Sequence, residues 1–573
     1  MSRGMRFILS FVVMAVLVVI SGVALAYFLG SGGPTIETNS VLWLRVPDSL
    51  GEQEADDVFG LINQRDTVMS LVSTLQKAKV DERISAVVLI PSITEGLWGK
   101  VQEIRDAVTD FKASDKPIVA YLEYGTGQSY YLASACDEVF MTPTSPLNLI
   151  GVSSYEVFLR EALDKVGFQA DMLSAGDYKT AVNLYTETTF TPEHREMAQS
   201  LNRDLYDQLV AGIAEGRELT LARVRALIDD GPYRAADTVR VGLVDALVYE
   251  DQLIDGLPLG SSPSIIDYAD YRQVTLPGED SSRVALVYAE GVINFGTNGS
   301  DLQGNQTVGS ETLTSAIRAA REDDEIEAIV LRVDSPGGVA VAADVMWREL
   351  DLASAEKPLI VSMSDLAASG GYYIAAPADV IVAHPGTLTG SIGVYGGKYV
   401  AGETLEKLGV NVEVVTDGTH ADLFSPTTQF SDSARQAVQA QIDDTYERFL
   451  QVVADGRELS RDQVHQIAQG RVWTGRQAYD NGLVDELGGL HRAVEAAKTE
   501  AGIAADSPVT LVTYPQPRSF FEVLRNSFGV GVARGSFEVL ISPYAAMLKD
   551  VLGPLPLGYV QGAPMVLMPM PVR

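Results

Sequence analysis

Residues 328–363 read AIVLRVDSPGGVAVAADVMWRELDLASAEKPLIVSM, and their pattern indicates the fold class. Its two ends, 328–333 and 359–363, are short apolar runs rich in β-branched residues, which is typical of buried parallel strands. Residues 339–355 between them have the length and the periodicity of a helix. A strand, a helix and a second strand in this order form a βαβ unit, so the sequence predicts an α/β fold.

The same pattern occurs twice in the chain. DERISAVVLI at 81–90 matches DDEIEAIVLR at 323–332, at an offset of 242 residues. Further matches follow in the same order and at nearly the same offset: 116–119 with 357–360, 130–133 with 372–375, 149–152 with 391–394, 216–219 with 456–459, and 242–245 with 482–485. The shared order and spacing predict an internal duplication. We place the first repeat at 31–270, the second at 280–510 and a C-terminal extension at 511–573.

The composition excludes several classes of protein. The chain has 573 residues, of which 46% are hydrophobic, and this fraction excludes a largely disordered protein. Its single cysteine, Cys136, excludes an intrachain disulfide. The formal net charge of −33 would repel phosphate backbones, so we expect no nucleic-acid partner.

A membrane anchor is predicted at the N-terminus. Residues 7–29 carry no charge, and as a helix they would span roughly 35 Å, enough for a hydrocarbon core of about 30 Å. Arg3 and Arg6 precede this segment, so the positive-inside rule places residues 1–30 as a cytoplasmic tip and anchor and exports the remainder of the chain. The alternative is a cleaved signal peptide, because Ala-Leu-Ala at 24–26 resembles a cleavage site.

One serine of the second repeat is a candidate nucleophile. Strand 359–364 leads through a tight turn into a helix of small residues, which would place Ser369 at the helix N-terminus. The amides of Gly338 and Gly370 could then form an oxyanion hole. The first repeat has Gly127 opposite Ser369 and lacks the paired glycines. The alternative interpretation is structural, because a serine at a helix start is often only a cap and paired glycines are often only a turn.

Such a serine needs a base, and a lysine is the best candidate. Lys179 follows a strand-like segment of the first repeat, and burial could lower its pKa enough to leave it neutral. The residue opposite it in the second repeat is Ala421, so each repeat carries one half of the pair. A pairing of Ser369 with His384 or His420 is a further alternative, although neither histidine lies in a recognisable triad pattern. None of the five histidines lies in a metal-binding motif, so we expect no metal and no cofactor.

These motifs resemble the long, duplicated form of the signal peptide peptidase A family, also called protease IV. The resemblance covers residues 1–510 and is carried by four ordered motifs: GDYKTA at 176–181, DSPGG at 334–338, AASGGYY at 367–373 and LTGSIGV at 388–394. One departure is Asn-Leu at 183–184, where the family often has Glu-Pro. The resemblance implies two tandem ClpP/crotonase-like domains, with Ser369 as nucleophile, Lys179 as general base and Ser391 orienting the lysine.

The resemblance also implies where and on what the protein acts. We expect a single-pass protein of the bacterial inner membrane that contacts lipid through residues 7–29 and has its catalytic domains in the periplasm. There it would form a homotetramer and degrade remnant signal peptides and other apolar peptides. Two alternatives stay open: a crotonase-like acyl-CoA hydratase or thioesterase, and a non-catalytic membrane scaffold.

Overall fold

The structure is a computed structural model that describes residues 36–53, 66–93, 96–254, 263–274, 281–300, 306–516 and 565–567. The anchor predicted at 7–29 lies outside the described residues. Among the residues that are described, no helix has both the length and the apolar character needed to cross a bilayer.

The first repeat contains a six-stranded parallel sheet with the order β8-β5-β3-β2-β1-β9. The strands of this half are β1 Ser40–Val46, β2 Ile84–Pro91, β3 Ile118–Leu122, β4 Gly125–Thr126, β5 Glu138–Met141, β6 Leu147–Asn148, β7 Gln169–Ala175, β8 Ala246–Leu247 and β9 Ser264–Asp267. The helices are α1 Val68–Val80, α2 Trp98–Lys112, α3 Gly127–Ala133, α4 Arg160–Val166, α5 Asn183–Thr186, α6 Pro192–Gly216, α7 Leu221–Asp229, α8 Ala235–Val241 and α9 Tyr268–Tyr271.

The second repeat contains an eight-stranded sheet. Its main path runs β20-β18-β16-β14-β10-β22, and β17 and β21 extend it beside β16. The strands are β10 Ser282–Glu290, β11 Val292–Asn294, β12 Gly299–Ser300, β13 Gln306–Gly309, β14 Ile326–Ser335, β15 Gly337–Val339, β16 Leu359–Ala368, β17 Val380–Ala383, β18 Leu388–Gly390, β19 Val394–Val400, β20 Val472–Thr474, β21 Glu486–Leu487, β22 Val509–Tyr514 and β23 Met565–Leu567. The helices are α10 Ser310–Glu322, α11 Ala340–Ser354, α12 Gly370–Ala375, α13 Gly402–Lys407, α14 Asp432–Gly456, α15 Arg461–Ile467, α16 Gly475–Asp480 and α17 Leu490–Glu500.

The predicted βαβ unit is present as β14, α11 and β16. Almost every residue of β14 and β16 is buried, because both faces of these strands are covered. Such strands are apolar throughout and do not alternate between apolar and polar positions. Each repeat has its own large apolar core, one around β1–β3 and the other around β14 and β16. The α/β fold predicted from the sequence is therefore observed in both repeats.

The second repeat extends a few residues past the boundary predicted at 510. Strand β22 pairs in parallel with β10 from Ser282 opposite Val509 to Val287 opposite Tyr514, so it belongs to the sheet of the second repeat. The backbone of β23, from the predicted extension, also pairs with strands of this half. In the first repeat β9 pairs in parallel with β1 in the same way, so β22 is part of the repeated fold.

A third sheet joins the two repeats, in the order β12-β13-β11-β15-β23-β19-β7. Strand β7 of the first repeat pairs antiparallel with β19 of the second over seven residue pairs, from Val394 opposite Ala175 to Val400 opposite Gln169. The loop that comes after β7 is thereby carried to the carboxyl end of β16 in the other repeat.

Candidate active site

Ser369 lies at a sharp turn between β16 and α12. Its backbone has φ 55° and ψ −113°, an uncommon conformation for a residue with a side chain, and its amide donates to the carbonyl of Gly390 at 2.8 Å. The serine is fully buried. Strained backbone of this kind persists only where the surroundings hold it, and it is concentrated at functional sites.

Lys179 reaches Ser369 from the other repeat. Its Nζ lies 2.7 Å from Ser369 Oγ, 2.8 Å from the backbone oxygen of Ser391 and 3.0 Å from Ser391 Oγ. The lysine is 2% exposed, and burial lowers its pKa well below the ordinary value. None of the ion pairs found in the described ranges involves Lys179, and burial is the only cause of its pKa shift. The arrangement therefore favours a neutral amine hydrogen-bonded to a serine hydroxyl.

Close backbone packing holds the lysine in place. The amide of Tyr178 donates to the carbonyl of Gln469 at 2.8 Å. Gly470, which follows Gln469 in the chain, has φ 81°. A Cβ at this position would lie 2.5 Å from the backbone nitrogen of Lys179. The amide of Gly470 in turn donates to the carbonyl of Ile392 at 2.7 Å. Residues 469–470 were not singled out from the sequence, and the Gln-Gly pair carries no signal beyond that of an ordinary turn.

Ser391 sits between β18 and β19, where its amide donates to the carbonyl of Arg471 at 2.7 Å. Its backbone has φ 50°, again uncommon for a serine. Both oxygens that it offers to Lys179 Nζ are buried. The structure therefore brings together Ser369 and Lys179, the pair inferred from the sequence, and Ser391, which the family resemblance implies.

The turn with paired glycines lies against the start of α12. Ser335 Oγ donates to the carbonyl of Gly291 at 2.6 Å and accepts from the amide of Gly337 at 3.2 Å. A Cβ at Gly371 would lie 2.7 Å from the carbonyl oxygen of Ser335, so the turn and the helix can approach this closely only because Gly371 has no side chain. Gly338 follows in β15, beside β11 and the backbone of β23. Gly338 and Gly370 thus lie on the two segments that contact each other here.

A buried charge cluster formed by side chains of both repeats lies beside this turn. Lys100 Nζ lies 2.7 Å from Asp334, the residue before Ser335, and 3.6 Å from both Asp365 and Glu52. Asp334 Oδ1 also accepts from the amide of Leu366 at 3.1 Å. Burial raises the pKa of Asp365 to about 6, although Lys100 opposes this shift.

Arg332 extends the cluster and is 1% exposed. It pairs with Glu52 at 2.8 Å and with Glu103 at 2.5 Å, so three acidic or basic residues of the first repeat reach into the second. Burial would raise the pKa of Glu52, but Arg332 and Lys100 lower it to about 2. Sequence reasoning missed this cluster, and an aspartate at the end of a parallel strand was the only local signal.

Neither candidate histidine contacts the serine. His384 is fully buried with its ring nitrogens 3.6 Å from Asp106 and 3.9 Å from Glu103, and burial is the main cause that lowers its pKa. His420 Nε2 lies 3.2 Å from Ser433 Oγ at an exposed position. Among the hydrogen bonds of the described residues, Ser369 Oγ is bonded to Lys179. Over the same residues, no group of three or more His, Cys, Asp or Glu side chains is placed to hold a metal ion.

Comparison with known proteins gives one match for each repeat. The sequence profile of peptidase family S49 matches the chain twice, at residues 110–260 and 351–504. The chain belongs to peptidase family S49. A chloroplastic serine protease SPPA of Arabidopsis thaliana is 33% identical over 498 residues, which cover 84% of this chain and 73% of that protein. Protease 4 of Salmonella typhi is 35% identical over 452 residues, covering 76% of this chain and 72% of that one.

These matches confirm the family resemblance inferred from the four motifs and identify a serine peptidase of family S49. Among solved structures, a membrane-bound stomatin-specific protease, 1510-N, aligns with 41% of this S49 chain and 98% of its own length. Its TM-score is 0.26 at 15% identity, which is too low to support an argument about the fold.

Proposed function

We propose that this S49 chain is a serine endopeptidase in which Ser369 is the nucleophile and Lys179 the general base. The observation that carries the proposal is the distance of 2.7 Å between Lys179 Nζ and Ser369 Oγ in a buried site. A general base must lie within hydrogen-bond reach of the proton that it removes, and its pKa must lie near the working pH. Burial of Lys179, with no carboxylate of the described residues paired with it, supplies the second condition.

The reaction is acyl transfer from the peptide to the serine. Neutral Lys179 takes the proton of Ser369 as Oγ attacks the peptide carbonyl, and the resulting ammonium protonates the leaving amine. The amides of Gly338 and Gly370 stabilise the oxyanion that forms. Ser391 orients Lys179 by accepting two of its N–H groups, so that the lone pair of the neutral amine is directed at Ser369 Oγ. Water then hydrolyses the acyl-enzyme by the same proton transfers, and the sequence of steps calls for no cofactor.

The substrate is an extended peptide that pairs with β15 in the place that β23 occupies between β15 and β19. The backbone of residues 565–567 pairs antiparallel with β15, with Val566 opposite Gly338. An extended chain therefore fits beside the turn that carries the oxyanion donor, and this supports binding by strand addition. Together with the family resemblance, it supports remnant signal peptides and other apolar peptides as substrates.

We place the active protein in the bacterial inner membrane as a homotetramer. The apolar segment 7–29 would anchor it in lipid, and the positive-inside rule would put both repeats in the periplasm. Signal peptides left in the same membrane would then be the peptides that reach Ser369. The subunit number rests on the family resemblance alone.

The experiment measures cleavage of a fluorogenic apolar peptide by the full chain in detergent. We expect Ser369→Ala and Lys179→Ala each to lower kcat/KM by at least about 10³-fold, in line with the loss of a nucleophile or its base. Lys116→Ala is the matched control, because Lys116 Nζ also donates to backbone carbonyls, those of Ala78 and Asp81, but far along the chain from the dyad. Full activity of the Lys179→Ala protein, with the control also active, would exclude the dyad.

A fluorophosphonate probe tests the nucleophile independently. We expect one covalent adduct per chain, mapped by peptide mass spectrometry to Ser369 and absent from Ser369→Ala. An intact chain that takes up no probe and cleaves no peptide would instead favour the scaffold alternative.

A further inference from the structure

Asp334 connects the turn with paired glycines to three other segments of the chain. Its carbonyl accepts from the amide of Gly291 at 2.9 Å, and its Oδ1 accepts from the amide of Leu366 at 3.1 Å. Its Oδ2 accepts from Lys100 Nζ at 2.7 Å. Asp334 lies four residues before Gly338, so a displacement of its carboxylate has only a short stretch of backbone to cross before it reaches the proposed oxyanion donor.

Lys100 comes from the first repeat and is fixed at both ends of its side chain. Its own amide donates to Asp365 Oδ1 at 3.0 Å. A Cβ at the preceding Gly99 would lie 2.5 Å from the carbonyl oxygen of Ser364, so the start of α2 packs directly on the backbone of β16. At the other end, Nζ also donates to the carbonyl of Leu50 at 3.1 Å. The lysine therefore presents its ammonium to the turn from a fixed position.

The stretch between Asp334 and Gly338 is closely packed. Ser335 Oγ closes the turn by accepting from the amide of Gly337 at 3.2 Å. Gly338 lies so close to β11 that a Cβ there would clash with the carbonyl oxygen of Ile293. Close-packed interiors transmit displacements and do not absorb them, so a shift of the carboxylate moves the amide of Gly338 as well.

The two repeats divide the Lys100–Asp334 pair in the same way as they divide the dyad. At the offset of 242 residues, Ala342 stands opposite Lys100 and Ser92 stands opposite Asp334. The first repeat thus has only the lysine and the second only the aspartate. The aspartate occurs at the one turn that has the paired glycines, because the first repeat lacks them at the corresponding place.

We propose that Lys100 is a positioning residue for the oxyanion turn and acts through Asp334. The first repeat then supplies two parts of the site at two separate contacts. Lys179 follows β7, which pairs with β19, whereas Lys100 lies in the first turn of α2, which packs on β16.

This role rests on the proposed function, in which the amide of Gly338 donates to the oxyanion. Lys100 holds that amide in the direction in which negative charge develops during the reaction. A misplacement of about 1 Å at such a donor costs about 10²-fold in rate, so the effect of losing Lys100 falls on the chemical step.

The test compares Lys100→Met with Arg105→Met in the full chain in detergent. Arg105 lies on the same helix, is buried, and donates to the carbonyl of Gly212 at 2.6 Å, so its loss weakens the first repeat without removing a contact to the turn. Both variants are assayed on the fluorogenic apolar peptide under conditions in which thermal melting shows them folded. We expect Lys100→Met to lower kcat about 10²-fold at nearly unchanged KM, and Arg105→Met to keep kcat within about twofold of the native value.

A transition-state analogue separates positioning from a purely structural role. A peptide aldehyde adds to the nucleophilic serine, and the oxygen of the resulting hemiacetal lies in the oxyanion hole, whereas the peptide alcohol of the same sequence forms no such adduct. We expect Lys100→Met to weaken binding of the aldehyde by about the same factor as kcat, and binding of the alcohol by less than about twofold. Equal weakening of both ligands would show a general disturbance of the groove and overturn the proposal.

Asp334→Asn tests the route by which Lys100 acts. Asparagine keeps an oxygen for the amide of Leu366 and removes the charge with which Lys100 Nζ pairs. Because both substitutions then remove the same contact, Lys100→Met/Asp334→Asn should lose no more than about twofold in kcat beyond Lys100→Met alone. Losses that multiply in the double variant would place the effect of Lys100 on another partner and contradict the proposal.

The kinetic comparison also has outcomes that would overturn the proposal. These are a native kcat of Lys100→Met, a loss no larger than that of Arg105→Met, or a loss confined to KM. Ser369→Ala, assayed alongside, separates them from failure of the proposed function. An inactive Ser369→Ala protein with a fully active Lys100→Met protein removes only the role of Lys100, whereas cleavage by Ser369→Ala would remove the proposed function and this role with it.

Discussion

Replacement of Lys100 by methionine removes the one cation shared by three carboxylates of the charge cluster. Lys100 Nζ lies within 3.6 Å of Glu52, Asp334 and Asp365, and all four side chains are at most 14% exposed. Burial alone would lower the pKa of Lys100, but the charges of Asp334, Asp365 and Glu52 outweigh it and raise the pKa. Methionine preserves much of the packing of the lysine stem and leaves the carboxylates without this partner.

We expect Lys100→Met to lower the free energy of unfolding by about 3–5 kcal/mol at about pH 8, which is the usual penalty for leaving buried charges unpaired. The cost should shrink at about pH 5.5. In the folded chain the pKa of Asp365 is already raised from 3.8 to about 6, so protonation of its carboxyl favours the folded state at low pH. This stabilisation is lost as the pH rises through about 6. Without Lys100 this pKa rises further, and protonation of Asp365 then relieves more of the penalty.

The assay is urea denaturation of the full chain in detergent, followed by tryptophan fluorescence at both pH values. Only the first transition is compared, because a chain with two repeats does not unfold in one step. Lys79→Met is the matched control: Lys79 Nζ pairs with Asp110 at 2.7 Å near the surface, and its loss should cost less than about 1 kcal/mol. Equal costs for the two variants, or a cost of Lys100→Met that does not change with pH, would refute the reasoning.

Three further predictions concern the site and its surroundings. Peptide cleavage should rise with pH through the lowered pKa of Lys179 and then level off, because only the neutral amine accepts the serine proton; a kcat/KM profile that falls over this range would contradict a lysine base. Gly470→Ala should lower kcat/KM at least about tenfold by displacing the backbone of Lys179, whereas Gly482→Ala, with a similar φ of 76° but nothing within 4 Å of the new Cβ, should cost only about 1 kcal/mol of stability by thermal melting. Cys136, fully buried and with its pKa raised to about 12 by burial, should react with a thiol reagent only after unfolding; labelling of the folded chain at the rate of the denatured chain would contradict its placement.

Much of the site was recognisable because its signals are local. The strand-turn-helix pattern around Ser369 and the paired glycines at 337–338 depend on residues that are near one another in the chain. The lysine was recognisable only by comparing the repeats, since Ala421 stands opposite Lys179. No local pattern distinguishes Lys100 from a surface lysine, because its three partners come from distant strands and loops.

Local patterns in the sequence are enough to predict the duplicated α/β architecture and which repeat contributes which residue to the site. Periodicity, turn glycines and internal repetition are properties of neighbouring residues, so they can be recognised without coordinates. That Lys179 and Ser369, 190 residues apart, meet within one chain depends on tertiary contacts, because the pairing of β7 with β19 brings the two repeats together. Solvent exposure likewise depends on which strands lie alongside, so Val412, Val414 and Val415, which lie at the repeat offset from β7, are exposed although β7 itself is paired.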